Sequence, residues 1–457
     1  MSRKWIGIVL ATLLAAGAAN ATRWIQDAPV GAKWSETSNW EGGALPTSGD
    51  LALFQLTQAN TYDVDVDTSG VTRLLQVMQP HTFNGSGSIR VTTTVIADKK
   101  SCIINTIAGA VTYNIPVSVH LSSATNYYSL VNNMNSGGTT VFNDAFTLEA
   151  GTGKGINLDV GTFEFNGDLT VNDTMRLGSG TMIIGGSGTT SIGSPGYILT
   201  SGVGTKLYLN RTGAYTVADT STGYLRVERT KIYFNAPYAV GTGTTVRMYQ
   251  VDATAALVSG GNYDQEFGVL YCSSTVNDAI IDMQNSACMW TFADSSGIGW
   301  GAPGVGLAVT NVDTNNTVVR FKIDGGTGLT ATQIDRTTVN GVALSDWGTT
   351  IEDGYLYITP ATSVPAPDIV QPAIVSSSVV SGNVMKIVVD APTEASRYTV
   401  EETANLTAPS WSSVAHSDDG VNTFMVTNLG YSTADGTNEV IYVQTTNSAG
   451  FFRIFGE

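Results

Sequence analysis

From about residue 138 a short motif keeps returning: GTTVFN from Gly138, GTFEFN from Gly161, GTMIIG from Gly180, GTKLYLN from Gly204, GYLRVE from Gly223 and GTTVRMY from Gly243. The copies lie roughly 19 to 24 residues apart, the length of one solenoid coil. Within each copy apolar and polar positions alternate. Phe163 and Phe165 flank Glu164, Leu225 and Val227 flank Arg226, and Val246 and Met248 flank Arg247. A period of two predicts a strand with one face buried and the other wet. No amphipathic helical stretch separates the copies, so the strands are not joined as β-α-β units. The pattern therefore predicts an all-β chain whose body is a right-handed parallel β-helix, each coil hydrogen-bonded to the one before. A set of β-sandwiches fits less well, because sandwich strands are longer and less periodic.

The pattern changes at both ends. TPATSVPAPDIVQP, from Thr359 to Pro372, holds four of the 13 prolines and predicts a stiff linker over 359–373. Beyond it, alternation returns in MKIVVD, RYTVEE, TFMVTN, EVIYVQTT and GFFRIF, punctuated by Asp419-Gly420 and Asp435-Gly436. Residues 374–457 are expected to form a small antiparallel sandwich of the immunoglobulin or fibronectin type. Arg453 in its last strand is placed to pair with Glu401 or Glu402 across the sheet. At the front, Arg3 and Lys4 precede an apolar run from Trp5 to Ala16 and an Ala19-Asn20-Ala21 site. Residues 1–21 thus read as a signal peptide, with the mature chain starting at Thr22 and a cap and β-helix filling 22–358. No later stretch reaches transmembrane length, and the expected location is secreted or at the cell surface.

Trp24, Trp34 and Trp40 precede the first coil. An open solenoid end exposes apolar core and unpaired strand edges. These rings are large enough to cover it, with Gly42-Gly43 and Pro46 shaping the chain; a sugar-stacking platform is the competing reading. The pattern W-x5-W-x-G-G-x2-P-x2-G-D-x-A-x-F from Trp34 to Phe54, followed by YDVDVDTSGVTRLLQV and FNGSGSIRV, resembles the opening of exported bacterial β-helix proteins with autotransporter-associated strand repeats. These are common in planctomycete and verrucomicrobial bacteria. The tail YTVEETANLTAPSW…FFRIF is similar to the small terminal β-modules of the same group. The resemblance implies a secreted or surface scaffold without an assigned reaction. Unlike true autotransporters, the chain has no series of amphipathic barrel strands after the solenoid.

Composition narrows the chemistry. Only 13% of residues are charged and the formal net charge is −16, which argues against a nucleic-acid partner. Cys102, Cys272 and Cys288 read as buried free thiols, with a Cys272–Cys288 pair as the alternative. Asp63, Asp65 and Asp67 alternate in DVDVDTSG and are the calcium candidates of this chain. An EF-hand needs Gly and Glu where Thr68 and Leu74 stand, so a solvated strand is the plainer reading. His81, His120 and His416 lack metal-ligand spacing and are expected at surfaces or turns. Asn311-Val-Asp and Arg320-Phe-Lys superficially match polygalacturonase fragments but lie too close together, without the intervening motifs. Trp290 and Trp300, with Trp347, are weak candidates for a glycan-binding stripe.

No catalytic residue is nominated. The expected function is a non-enzymatic extracellular or cell-surface scaffold or adhesive protein, with extracellular polysaccharide or other surface proteins as partners. The alternatives are a polysaccharide lyase or hydrolase on a β-helix, or a carbohydrate-binding protein. A groove where carboxylates and a basic residue converge would distinguish them.

Overall fold

The computed structural model describes residues 21–359 with short interruptions, the longest at 94–100, and the strands between 374 and 456. Among the described residues the chain is nearly all β. It divides into two units, Met1–Ala361 and Thr362–Glu457.

The first unit is a parallel β-solenoid. Its first sheet has 11 strands, from Ala21–Trp24 to Leu270–Cys272, and its second has 14, from Ala32–Lys33 to Val342–Ala343. A third sheet of seven runs from Gly70–Thr72 to Thr216–Val217. A fourth, of five strands, takes over from Gln265–Glu266. Through the repeat region every strand pairs in parallel with its counterpart one coil away, as Thr162–Phe165 does with Thr139–Phe142 and Thr181–Ile184. The alternating residues divide as the pattern requires: Phe163 and Phe165 are buried and Glu164 faces outward.

Registration places like on like. Phe83, Tyr113, Phe142 and Phe165 occupy one inward row of the second sheet. Their rings stack at 4.9, 5.1 and 5.1 Å between centroids, close to the strand spacing of about 4.8 Å. At the next position Asn114 Nδ2 donates to Asn84 Oδ1 at 2.7 Å, Asn143 to Asn114 at 2.8 Å and Asn166 to Asn143 at 3.0 Å. Gly185 interrupts this ladder, and it resumes with Asn235 donating to Asn210 at 2.8 Å. Arg211, only 6% exposed, ties neighbouring coils together. It donates to the carbonyls of Gly167, Gly185 and Thr189 at 3.0, 2.7 and 3.0 Å.

Both solenoid ends are closed. Trp24, Trp34 and Trp40 are each 1% exposed and pack edge to face, with Phe54 beneath them. Trp40 Nε1 donates to Trp34 O at 2.9 Å, so the polar edge is satisfied inside the cluster. A Cβ on Gly70 would lie 2.7 Å from the Trp34 ring, which is why glycine stands there. The tryptophans are the cap, and the cap adds strands to the sheets: Ala21–Trp24 pairs with Leu51–Phe54, and Ala32–Lys33 with the Val64–Asp65 segment.

At the far end pairing turns antiparallel. Thr337–Val339 folds back on Val342–Ala343, and Thr350–Glu352 on Tyr355–Tyr357. The turns are Asn340-Gly341 and Asp353-Gly354, all four residues at positive φ, the two-residue hairpin geometry that favours these pairs. Ile358 and Thr359 are still buried solenoid: Val319 N donates to Thr359 Oγ1 at 2.9 Å. The rest of the expected linker, 360–373, lies outside the described residues.

The second unit holds two antiparallel sheets. One orders Ile374–Ser381, Val384–Val389, Glu439–Gln444 and His416–Ser417; the other orders Ser412–Ser413, Tyr398–Thr403 and Phe451–Gly456. Arg453 stands opposite Glu401 in register. Trp411 and Leu406 lie outside the described residues.

Two predictions follow from these elements. Residues 374–457 expressed alone should melt cooperatively with dispersed amide signals; a collapsed spectrum would mean that the module requires the solenoid. Val160 is a β-branched residue at φ 55° in the turn before Thr162. Val160→Asn should raise stability by about 1 kcal/mol, read by denaturant unfolding, because asparagine tolerates the left-handed region.

Candidate functional site

The fourth sheet brings charged groups together. Its strands Gln265–Glu266, Met289–Phe292, Val318–Lys322 and Tyr355–Tyr357 lie side by side. Alternation sends Trp290, Phe292, Val319, Phe321 and Leu356 inward, leaving Glu266, Arg320, Lys322 and Tyr355 toward solvent. With Tyr238 and Asp264 from the preceding turns, they line a small hollow of about 90 Å³.

The groups in this hollow are braced. Lys322 Nζ meets Glu266 Oε1 at 2.5 Å, across two coil junctions. This hydrogen bond holds the ammonium above its ordinary pKa, so Lys322 is poorly suited to act as a base. Arg320 Nε donates to Thr291 Oγ1 and its Nη1 to Tyr357 OH, both at 3.0 Å. The Arg320 guanidinium lies 3.8 Å from the centre of the Tyr355 ring, a cation–π contact. Burial pushes the Asp264 carboxyl above the usual carboxylate range, while its acceptance from Met289 N, at 2.6 Å, and the Arg320 charge act against that rise. The hollow offers fixed charges and two rings, Tyr238 exposed and Tyr355 partly buried against Arg320. Such an arrangement can orient a polar or anionic group. Of its members, the sequence pattern singles out Arg320 and Lys322 in the RFK fragment, while Asp264 and Glu266 alternate in NYDQE, the signal by which the sequence carries the other two charges.

The nominated residues lie elsewhere. Asp63 and Asp65 are on the outer side of Tyr62–Asp65, with Val64 and Val66 inward. Asp67 is engaged by the cap. Ser35 donates to its carboxylate through Oγ at 2.6 Å and N at 3.0 Å, and the hydroxyl bond is the main cause that lowers its pKa. Among the described residues no group of three or more His, Cys, Asp or Glu side chains is placed to hold a metal. Trp290 is fully buried and packs edge to face on Phe234 and Phe267, while Trp300 is 9% exposed in the same core. Neither ring offers a face to a glycan, because the alternation that makes the fourth sheet sends Trp290 inward. Trp347 packs partly buried against the same core.

The three cysteines are buried and none forms a disulfide. Burial raises all three thiols, Cys102 and Cys288 to about 12, which removes them from thiolate chemistry. His120 is partly exposed, with Nδ1 3.3 Å from Glu149. The His416 side chain lies outside the described residues. The expectation for His81 is corrected. It is 1% exposed, stacked between Tyr62 and Phe83, with Nδ1 2.9 Å from Gln79 O. Its position in an inward row of the second sheet overrides the surface preference of its side chain.

The fold defines a parallel β-solenoid protein with an appended antiparallel module. No family model, curated protein or solved structure matches the chain.

His81 supplies a pH prediction. Desolvation lowers its pKa from 6.5 to about 4. The unfolded chain therefore binds a proton between these values that the folded chain does not, and stability falls as pH drops through this window. The full loss is roughly 3 kcal/mol. Urea unfolding of wild type and His81→Phe from pH 7 to pH 4 should show the gap between them shift by this order; parallel curves would contradict it.

Proposed function

We propose that this chain is an exported, non-enzymatic scaffold or adhesive protein of the extracellular space or cell surface, holding polysaccharide or other surface proteins. The observation that carries the reading is the registered stack of coils, closed at both ends by buried caps. Backbone bonds satisfied coil by coil make a rigid body with long outer faces, suited to holding and display. Export rests on the Arg3-Lys4, Trp5–Ala16 and Ala19-Asn20-Ala21 succession. Cleavage before Thr22 leaves Trp24 in place to complete the cap.

The hollow supports a holding role in the same terms, since Lys322 is paired to Glu266 and Arg320 is fixed by Thr291 and Tyr357. One observation favours a second reading, polysaccharide lyase or hydrolase: Asp264, with its carboxyl pushed up by burial, lines the hollow within reach of the Arg320 charge, a familiar arrangement for acid–base work.

Incubating the mature chain with calcium and a panel of acidic and neutral polysaccharides separates the two. Retention of a polymer without unsaturated products or new reducing ends is the expected outcome. Turnover that survives purification and disappears in Asp264→Asn would establish the enzyme instead.

A further inference from the structure

We infer that the outer face of the first sheet, from the coil of Arg176 to that of Tyr271, is a binding strip for a linear polysaccharide bearing carboxylate groups. This gives the holding role a partner and so rests on that reading. Arg176, Leu199, Arg226, Arg247 and Tyr271 form one outward row, each in register with the next. Three guanidinium groups within four successive strands stand out on a chain of net charge −16. Tyrosines surround them. Tyr197 and Tyr224 stack at 5.8 Å, Arg226 lies 5.1 Å from the Tyr249 ring centre, and Arg247 lies 5.6 Å from those of Tyr224 and Tyr271.

The arginines are held in advance of any ligand. Arg247 Nε donates to Ser273 Oγ at 3.3 Å and Arg176 Nε to Ser201 Oγ. Arg226 pairs with Glu228. A guanidinium fixed through Nε can present its Nη groups to a carboxylate, and fixing it beforehand lowers the entropy lost on binding. Tyrosine rings provide apolar faces for the C–H side of a sugar ring. Coils rise by about 4.8 Å, close to the length of one pyranose in an extended chain, so carboxylates on adjacent sugars can meet Arg226 and Arg247, and one two sugars further on can meet Arg176 across the Leu199 coil. Duplex nucleic acid fits worse, because so few cations on an acidic chain release few counterions.

The test uses the mature chain with polygalacturonate oligomers, dextran as the neutral control, and duplex DNA and anionic vesicles as competitors. Binding of polygalacturonate but not dextran is expected, and Arg176→Gln with Arg247→Gln should weaken it about tenfold or more. The wild-type protein supplies a check that needs no variant. Bound oligomer should protect Arg176, Arg226 and Arg247 from phenylglyoxal, mapped by mass spectrometry. No binding, protection confined to other arginines, equal binding of dextran, or displacement by DNA or vesicles at matched charge would overturn the inference. Loss of this binding leaves the scaffold reading standing, and polymer turnover would end that reading without touching the binding result.

Discussion

Each coil of this chain must lie in register on the last, and that single constraint governs which side chains the rest of the molecule can carry. Parallel strands repeat the same face at the same place, so a residue inside the solenoid meets its equivalent one coil away. An aromatic there gains a stacking partner, as Tyr113 does from Phe83 and Phe142. An asparagine at a corner gains a donor on one side and an acceptor on the other, as Asn114 and Asn143 do. The same constraint explains Arg211: a cation drawn into the stack is matched by carbonyls that the coils present at fixed intervals. It also explains how His81 is held in the core as a flat ring among flat rings.

The body was legible in the sequence because this constraint writes itself as a period. The glycine-led alternating motif marks second-sheet strands in its first four copies and first-sheet strands, Tyr224–Val227 and Thr245–Met248, in the last two, and the three tryptophans preceding the first coil mark the front cap. The rear cap is written in the sequence only as two hairpin turns, Asn340-Gly341 and Asp353-Gly354, which stand outside the parallel repeat and mark the place where the chain leaves it and reverses to cover its open edge.

The hollow was beyond the reach of periodicity for a different reason. Alternation tells which residues of a strand face outward, but convergence depends on the lengths of the intervening coils. Glu266 and Lys322 are 56 residues apart, and they meet because two unequal coils bring the Glu266, Thr291 and Arg320 positions into one row. Trp290 and Trp300 are large rings in a glycine-rich stretch, and the strand register places Trp290 inside.

A closed, stacked core also determines where recognition can occur. Aromatic and aliphatic rows fill the solenoid interior, so binding chemistry belongs to the outer rows. There the stacking rule acts again, since a cation on one coil lies about 4.8 Å from the matching position on the next. Neighbouring arginines in such a row repel unless something separates or neutralises them. Between Arg176 and Arg226 the row inserts Leu199; beside Arg226 and Arg247 it places Glu228 and tyrosine rings. The strip can therefore exist without a ligand, yet it keeps more positive than negative charge in a protein that is otherwise acidic. A polymer with evenly spaced carboxylates would complete the pattern that the coils begin, because its period and that of the solenoid address the same rows.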